Sequence, residues 1–130
     1  MRSLSDALVR YDRLVEVGVG DRTDLAAALA AAGCEVVVVD RSPPSPPPGV
    51  RAVRDDVVAR ADAAARGEFG PYAGADALYA RRLPPELQRP ALTVARAVGC
   101  PLFLTTLGGD PVVVDATPET VAEGTLYRAE

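Results

Sequence analysis

Short apolar runs alternate with stretches in which apolar residues recur every third or fourth position, a pattern that predicts strands alternating with amphipathic helices. Ser3 to Tyr11, with Leu4, Ala7, Leu8 and Tyr11 at helical spacing, opens as a serine-started helix. A first strand runs from about Arg13 to Val17, and a helix from Thr23 to Ala32 carries the stripe Leu25, Ala28, Leu29 and Ala32. Gly33 stops that helix. Glu35 to Val39 then reads as a continuously β-branched strand, buried on both faces. Arg41 to Gly49 holds five prolines and predicts an extended, polyproline-like connector. Further on come a strand at Val50 to Arg54, a helix at Val57 to Arg66, a glycine-bearing loop at 67–74 and a strand at Ala75 to Ala80. A helix reaching Val98, kinked or restarted at Pro90, leads to a fifth strand at Pro101 to Thr105. The tail predicts a turn at Gly108 to Pro111, a turn or short helix begun by Pro118, and a last strand at Thr125 to Arg128.

Strands separated by helices imply a mainly parallel sheet joined by right-handed crossovers. The expected architecture is α/β, a three-layer, Rossmann-like, doubly wound sheet of order 3-2-1-4-5 with a short C-terminal edge strand, and 130 residues fit a single such domain. In that order the side on which successive strands are added switches between strands one and four. The turn at Gly18 is thereby brought beside the segment from Tyr79 to Glu86, and ligands of such sheets bind at this switch.

The chemistry sits in the first half of that plan. Gly18 lets the chain leave strand one sharply, and Gly20, without a Cβ, lets backbone N–H groups approach a ligand. Asp40, about 20 residues beyond the glycine turn, closes the second strand where ribose hydroxyls would sit. A dinucleotide fingerprint needs a glycine at position 23, where this chain has Thr23. That substitution ranks NAD(P) below other nucleoside ligands.

Composition narrows the classes further. All 14 basic residues are arginine and the formal net charge is −4, so a diffuse positive footprint for nucleic acid is not expected. The same acidic, lysine-free composition suits a high-salt or GC-rich source. No apolar run approaches the roughly 18 residues of a membrane span, and the start of the chain meets Asp6 before an apolar stretch, which predicts a cytoplasmic protein. With two cysteines and no histidine, a zinc site and a Ser-His-Asp triad are not expected. Cys34 and Cys100 each open a strand after a helix-ending glycine, three strand spacings or roughly 14 Å apart in the expected order, beyond disulfide reach.

The segment Glu16-Val-Gly18-Val-Gly20, with its acid two residues ahead of the first glycine, resembles the first motif of class I S-adenosylmethionine-dependent methyltransferases. The match in order and spacing extends over roughly the first 105 residues. The resemblance implies that Glu16 helps place the ammonium end of the methionine moiety, that Asp40 accepts hydrogen bonds from the ribose hydroxyls, and that Asp56 faces the adenine amino group. Asp76, ahead of the fourth strand's apolar residues, looks like that family's usual start to the strand. More narrowly, Gly74-Ala-Asp-Ala-Leu-Tyr followed by Arg82, Pro84-Pro85 and Glu86 resembles a small, uncharacterised archaeal family with this core. Two features depart from the methyltransferase pattern: Arg22 stands for the third glycine, and Ala80 to Glu86 lacks the Asp/Asn-Pro-Pro-aromatic sequence that positions amino acceptors.

Each candidate also has a structural reading. Glu16 and Asp40 fit solvent-exposed strand ends, Asp55 and Asp56 fit a helix start, and Glu86 fits a first helical turn better than a general base. Tyr79, Arg81 and Arg82 are expected on the cleft rim, either contacting an anionic or planar substrate or simply solvated. The function expected is a methyltransferase-like protein that binds S-adenosylmethionine. The alternatives are a non-catalytic binding or regulatory module and, below it, an NAD(P) oxidoreductase.

Overall fold

The computed structural model describes residues Met1–Glu130. Seven strands form one sheet of order β3-β2-β1-β4-β5-β7-β6. Strands β1 (Arg13–Val17), β2 (Glu35–Asp40), β3 (Val50–Arg54), β4 (Ala77–Ala80) and β5 (Leu102–Leu104) run parallel, and β6 (Thr117–Val121) and β7 (Gly124–Ala129) are antiparallel. The expected 3-2-1-4-5 order is present, extended by a hairpin at one edge.

Alternation along each strand sorts the core into two layers. Val15, Val17, Val37, Val39, Leu78, Ala80, Leu102 and Leu104 face α3 (Val57–Ala64) and α4 (Pro85–Val98). Leu14, Val36, Val38, Ala77, Tyr79 and Phe103 face α1 (Leu4–Leu8) and α2 (Asp24–Ala31). Both faces being covered explains the unbroken Val36-Val-Val-Val39 run: no position inside β2 between Glu35 and Asp40 faces solvent. Each such side chain contributes about 1.5–3 kcal/mol on burial.

Helix α1 is shorter than its apolar spacing predicts. Ser3 caps it in a reciprocal bond pair with Asp6, and the chain leaves the helix at Val9 so that the Tyr11 ring packs 5.6 Å from that of Phe103. Helix α4 runs unbroken through Pro90, whose absent N–H would have served the carbonyl of exposed Glu86. The segment begun by Pro118 corrects the expectation of a turn or short helix: it is β6, paired with β7. Proline is excluded from central strands but not from an outermost one. The two cysteine thiols are buried and free, as the strand order requires.

Candidate functional site

The carboxyl ends of β1, β2 and β4 carry the site. Gly18 and Gly20 both take the left-handed conformation, φ 66° and 61°, so the chain leaves β1 and doubles back at once, and a Cβ at either would meet no atom within 4 Å. The turn is tied to β2 on two levels. Gly18 N–H donates to the Val39 carbonyl at 2.9 Å, and Gly20 N–H donates to Oδ2 of Asp40 at 2.9 Å, while Oδ1 of Asp40 accepts from Ser42 N–H at 2.9 Å. Asp40 therefore stands at the strand end where its sequence position puts it, half-buried, with both oxygens already engaged in holding the turn and the loop after β2.

Beside the turn opens a cavity of about 360 Å³ between β1, β2 and α3. Val17, Val39, Val57, Val58, Tyr72 and Leu87 give it apolar walls, and Gly18, Asp40, Arg41, Asp55 and Asp56 line its polar side. Asp56 caps α3, accepting from Val58 N–H at 2.9 Å, with its side chain still half exposed. Asp55 is held differently: both its oxygens accept from Arg60, at 2.9 and 3.2 Å. The structure thus separates the Asp55-Asp56 pair, tying the first to Arg60 by two hydrogen bonds and leaving the second no nearer a guanidinium than 4.0 Å, that of exposed Arg41. The Tyr72 hydroxyl is buried without a hydrogen-bond partner, and that burial raises its pKa.

On the opposite face of β1, Glu16 is only 2% exposed. In the parallel pairing of β1 with β4, Glu16 lies directly across from Tyr79, so both side chains point to the α2 side. This corrects the rim position expected for Tyr79, which is likewise 2% exposed and lies in the core. Its hydroxyl adjoins the Glu16 carboxylate, yet neither that hydroxyl nor Oε1 of Glu16 completes a bond of good geometry. Burial pushes the Glu16 pKa up to about 7, against the opposing pull of the Tyr79 hydroxyl and the Arg81 guanidinium.

Arg81 is drawn inward too, with 14% of its side chain exposed. It donates to both oxygens of Asp24, at 2.9 and 3.1 Å, and to the Arg22 carbonyl at 3.0 Å, and reaches within 3.9 Å of Glu16. It thereby staples the end of β4 to the first turn of α2. The hydrogen bond to Arg81 holds Asp24 below the usual carboxylate range. Arg82, by contrast, is exposed and has φ 55°, the only non-glycine residue with positive φ. Its N–H donates to Oγ1 of Thr105 at 2.9 Å.

Several contributors have no local signal in the sequence. Asp24 meets Arg81 across 57 positions, and Tyr72 and Leu87 reach the cavity from the segment after α3 and from α4, 15 positions apart. The fully buried Gln88 is a third case. Its Nε2 donates to the carbonyls of Leu83 and Pro111, and its Oε1 accepts from Val113 N–H, fastening the segment after β5 onto α4. A polar residue on the apolar stripe of α4 was the available clue to Gln88.

Residues 4–130 match the uncharacterised protein family UPF0146. A UPF0146 protein of Halobacterium salinarum is 48% identical over 128 residues, spanning 98% of this chain and 94% of the relative. One from Pyrococcus horikoshii is 31% identical over 106 residues, spanning 78% and 76%. Among solved structures, the TehB-like S-adenosylmethionine-dependent methyltransferase of Corynebacterium glutamicum superposes with a TM-score of 0.56 at 15% identity, covering 90% of this chain and 78% of that one. MycE, a methyltransferase of the mycinamycin biosynthetic pathway solved with Mg and SAH, gives a TM-score of 0.56 at 14% identity, covering 91% of this chain but 41% of its own. The fold is that of Rossmann-like methyltransferases. No helix is long and apolar enough to cross a membrane.

Proposed function

The chain belongs to the uncharacterised protein family UPF0146, and we propose that it is an S-adenosylmethionine-binding, methyltransferase-like protein that takes the adenosine end of its ligand in the cavity beside Asp40. The observation that carries this reading is the bond from Gly20 N–H to Asp40, which fixes a glycine turn and a strand-end carboxylate on one cavity with apolar walls. The remaining lone pairs of the Asp40 carboxylate accept from ribose hydroxyls. Asp56, on the same cavity, accepts from the adenine amino group, and Val57, Val58 and Leu87 supply apolar surface to the planar base. When bound, S-adenosylmethionine supplies an electrophilic methyl group on a sulfonium centre. What this chain supplies is orientation at the turn.

Glu16 fits the methionine end less simply. The resemblance gives it the ligand's ammonium, but here it is closed off and the cation near it is the chain's own Arg81. That pair favours a second reading, in which the domain binds an adenosine ligand for regulation without transferring a methyl group. An NAD(P) role has only the glycine turn in its favour, with Thr23 against it.

Calorimetric titration with S-adenosylmethionine, S-adenosylhomocysteine, adenosine, NAD and NADP separates these readings. Binding of the first two in the micromolar range, abolished by Val58→Arg, is expected. Val58 is 47% exposed on the cavity wall and takes no part in holding the turn, so this variant blocks the cavity and leaves the fold intact. Adenosine binding as tightly as S-adenosylmethionine supports the regulatory reading. Folded wild-type protein that binds none of the five rules out both.

A further inference from the structure

A second cavity, about 480 Å³, opens on the other side of the glycine turn, between the loops after β4 and β5, the start of α1 and the β6–β7 hairpin. Its chemistry is unlike that of the first. Three of the chain's arginines, Arg22, Arg81 and Arg82, line it together with Thr105 and Thr106, in a protein whose formal net charge is −4. Glu123 is the one acid on its wall, and that carboxylate already accepts from Leu4 N–H at 2.9 Å.

The three arginines divide by their partners. Arg81 is spent on Asp24. Arg22 and Arg82 have no carboxylate within 4.0 Å, and neither guanidinium makes a hydrogen bond to the rest of the chain. Two unneutralised forks therefore share one concave surface. The backbone that presents Arg82 is held in place at a cost. A left-handed, non-glycine residue is disfavoured by roughly 1–3 kcal/mol, and it is kept here by the hydrogen bonds of Arg82 N–H to Thr105 Oγ1 and of Leu83 N–H to the Thr105 carbonyl, both 2.9 Å. Strain of this kind clusters at active sites and ligand clamps.

We infer that this groove binds the oxyanion of a small molecule, a phosphate ester or a carboxylate, through Arg22 and Arg82, with the threonine hydroxyls as further donors. Guanidinium forks match the paired oxygens of both groups, and hydroxyls complete their coordination. A groove of this volume takes a metabolite-sized ligand. The site stands independently of the nucleoside cavity, since none of its lining residues is shared with it.

The test is calorimetric titration of the full chain with pyrophosphate and, separately, with citrate, both at low ionic strength. The expected result is saturable binding of at least one anion, weakened by about tenfold or more in Arg22→Gln/Arg82→Asn, a pair of changes that removes both charges. Asparagine tolerates the left-handed conformation at position 82, so the double variant keeps its melting temperature. Arg51→Gln, an exposed arginine on β3 away from the groove, controls for the loss of one charge and leaves affinity unchanged. Preference for pyrophosphate assigns a phosphate ester, and preference for citrate assigns a carboxylate. Absence of saturable binding to folded wild-type protein, or equal affinity in the double variant, overturns the inference. Because Val58→Arg leaves the groove intact, it retains anion binding whether or not the nucleoside cavity binds S-adenosylmethionine, so the two readings fail separately.

Discussion

Glu16 and Arg81 approach to 3.9 Å across the seam between β1 and β4, yet the arginine's short contacts go to Asp24, at 2.9 and 3.1 Å. The buried carboxylate is left with an incomplete shell and gains more from its proton than a glutamate in water does.

That imbalance has a sign. The unfolded chain releases the Glu16 proton near pH 4.5 and the folded protein near 7, so between those values the folded state binds more protons and stability falls as pH rises. The contribution is complete below pH 4.5 and lost above about 7. Chemical denaturation of wild type and Glu16→Gln across this interval is expected to show the wild type losing about 3 kcal/mol relative to the variant. Parallel profiles for the two proteins would refute the assignment.

Asp40→Ala removes the acceptor of two backbone N–H groups, those of Gly20 and Ser42. For a half-buried carboxylate the expected loss is about 1–2 kcal/mol. Amide exchange locates it: the Gly20 and Ser42 amides accelerate, and those of β5 do not.

Gln88→Leu keeps the volume of a fully buried side chain and deletes three hydrogen bonds, leaving the carbonyls of Leu83 and Pro111 and the Val113 amide without that partner. A cost of about 2–3 kcal/mol is expected in the urea midpoint. A near-neutral result would mean that the segment after β5 repacks.

Burial pushes the Cys100 thiol up to about 11, so little thiolate exists at neutral pH. Alkylation of native protein by iodoacetamide is expected to be slow, and fast after unfolding. A native rate equal to the unfolded rate would show that the strand opens readily.

Much of this fold is legible in the chain because local signals agree. The valine run of β2, the glycine turn and Asp40 at the strand end each point to one place, and the structure brings them to one cavity. Three features were hidden. The direction of Tyr79 depends on its register against Glu16, and since every residue of β4 is buried there is no alternation to reveal a face. The hairpin strand β6 was masked by Pro118 and by an exposed composition, Thr117-Pro-Glu-Thr120, that an outermost strand tolerates and a central one does not. The Arg81–Asp24 tie lies beyond sequence pattern altogether, being a contact made by topology.

Pro118 bears on how molecules of this protein meet one another. A sheet's free margin is a template on which another chain can add a strand, and β6 forms one of the two margins here. At Pro118 that margin has no N–H to offer, and a ring projects in its place. Strand-by-strand growth of an aggregate has a poor start on this side and must begin at β3, where Arg51 and Arg54 set exposed charges against an incoming copy.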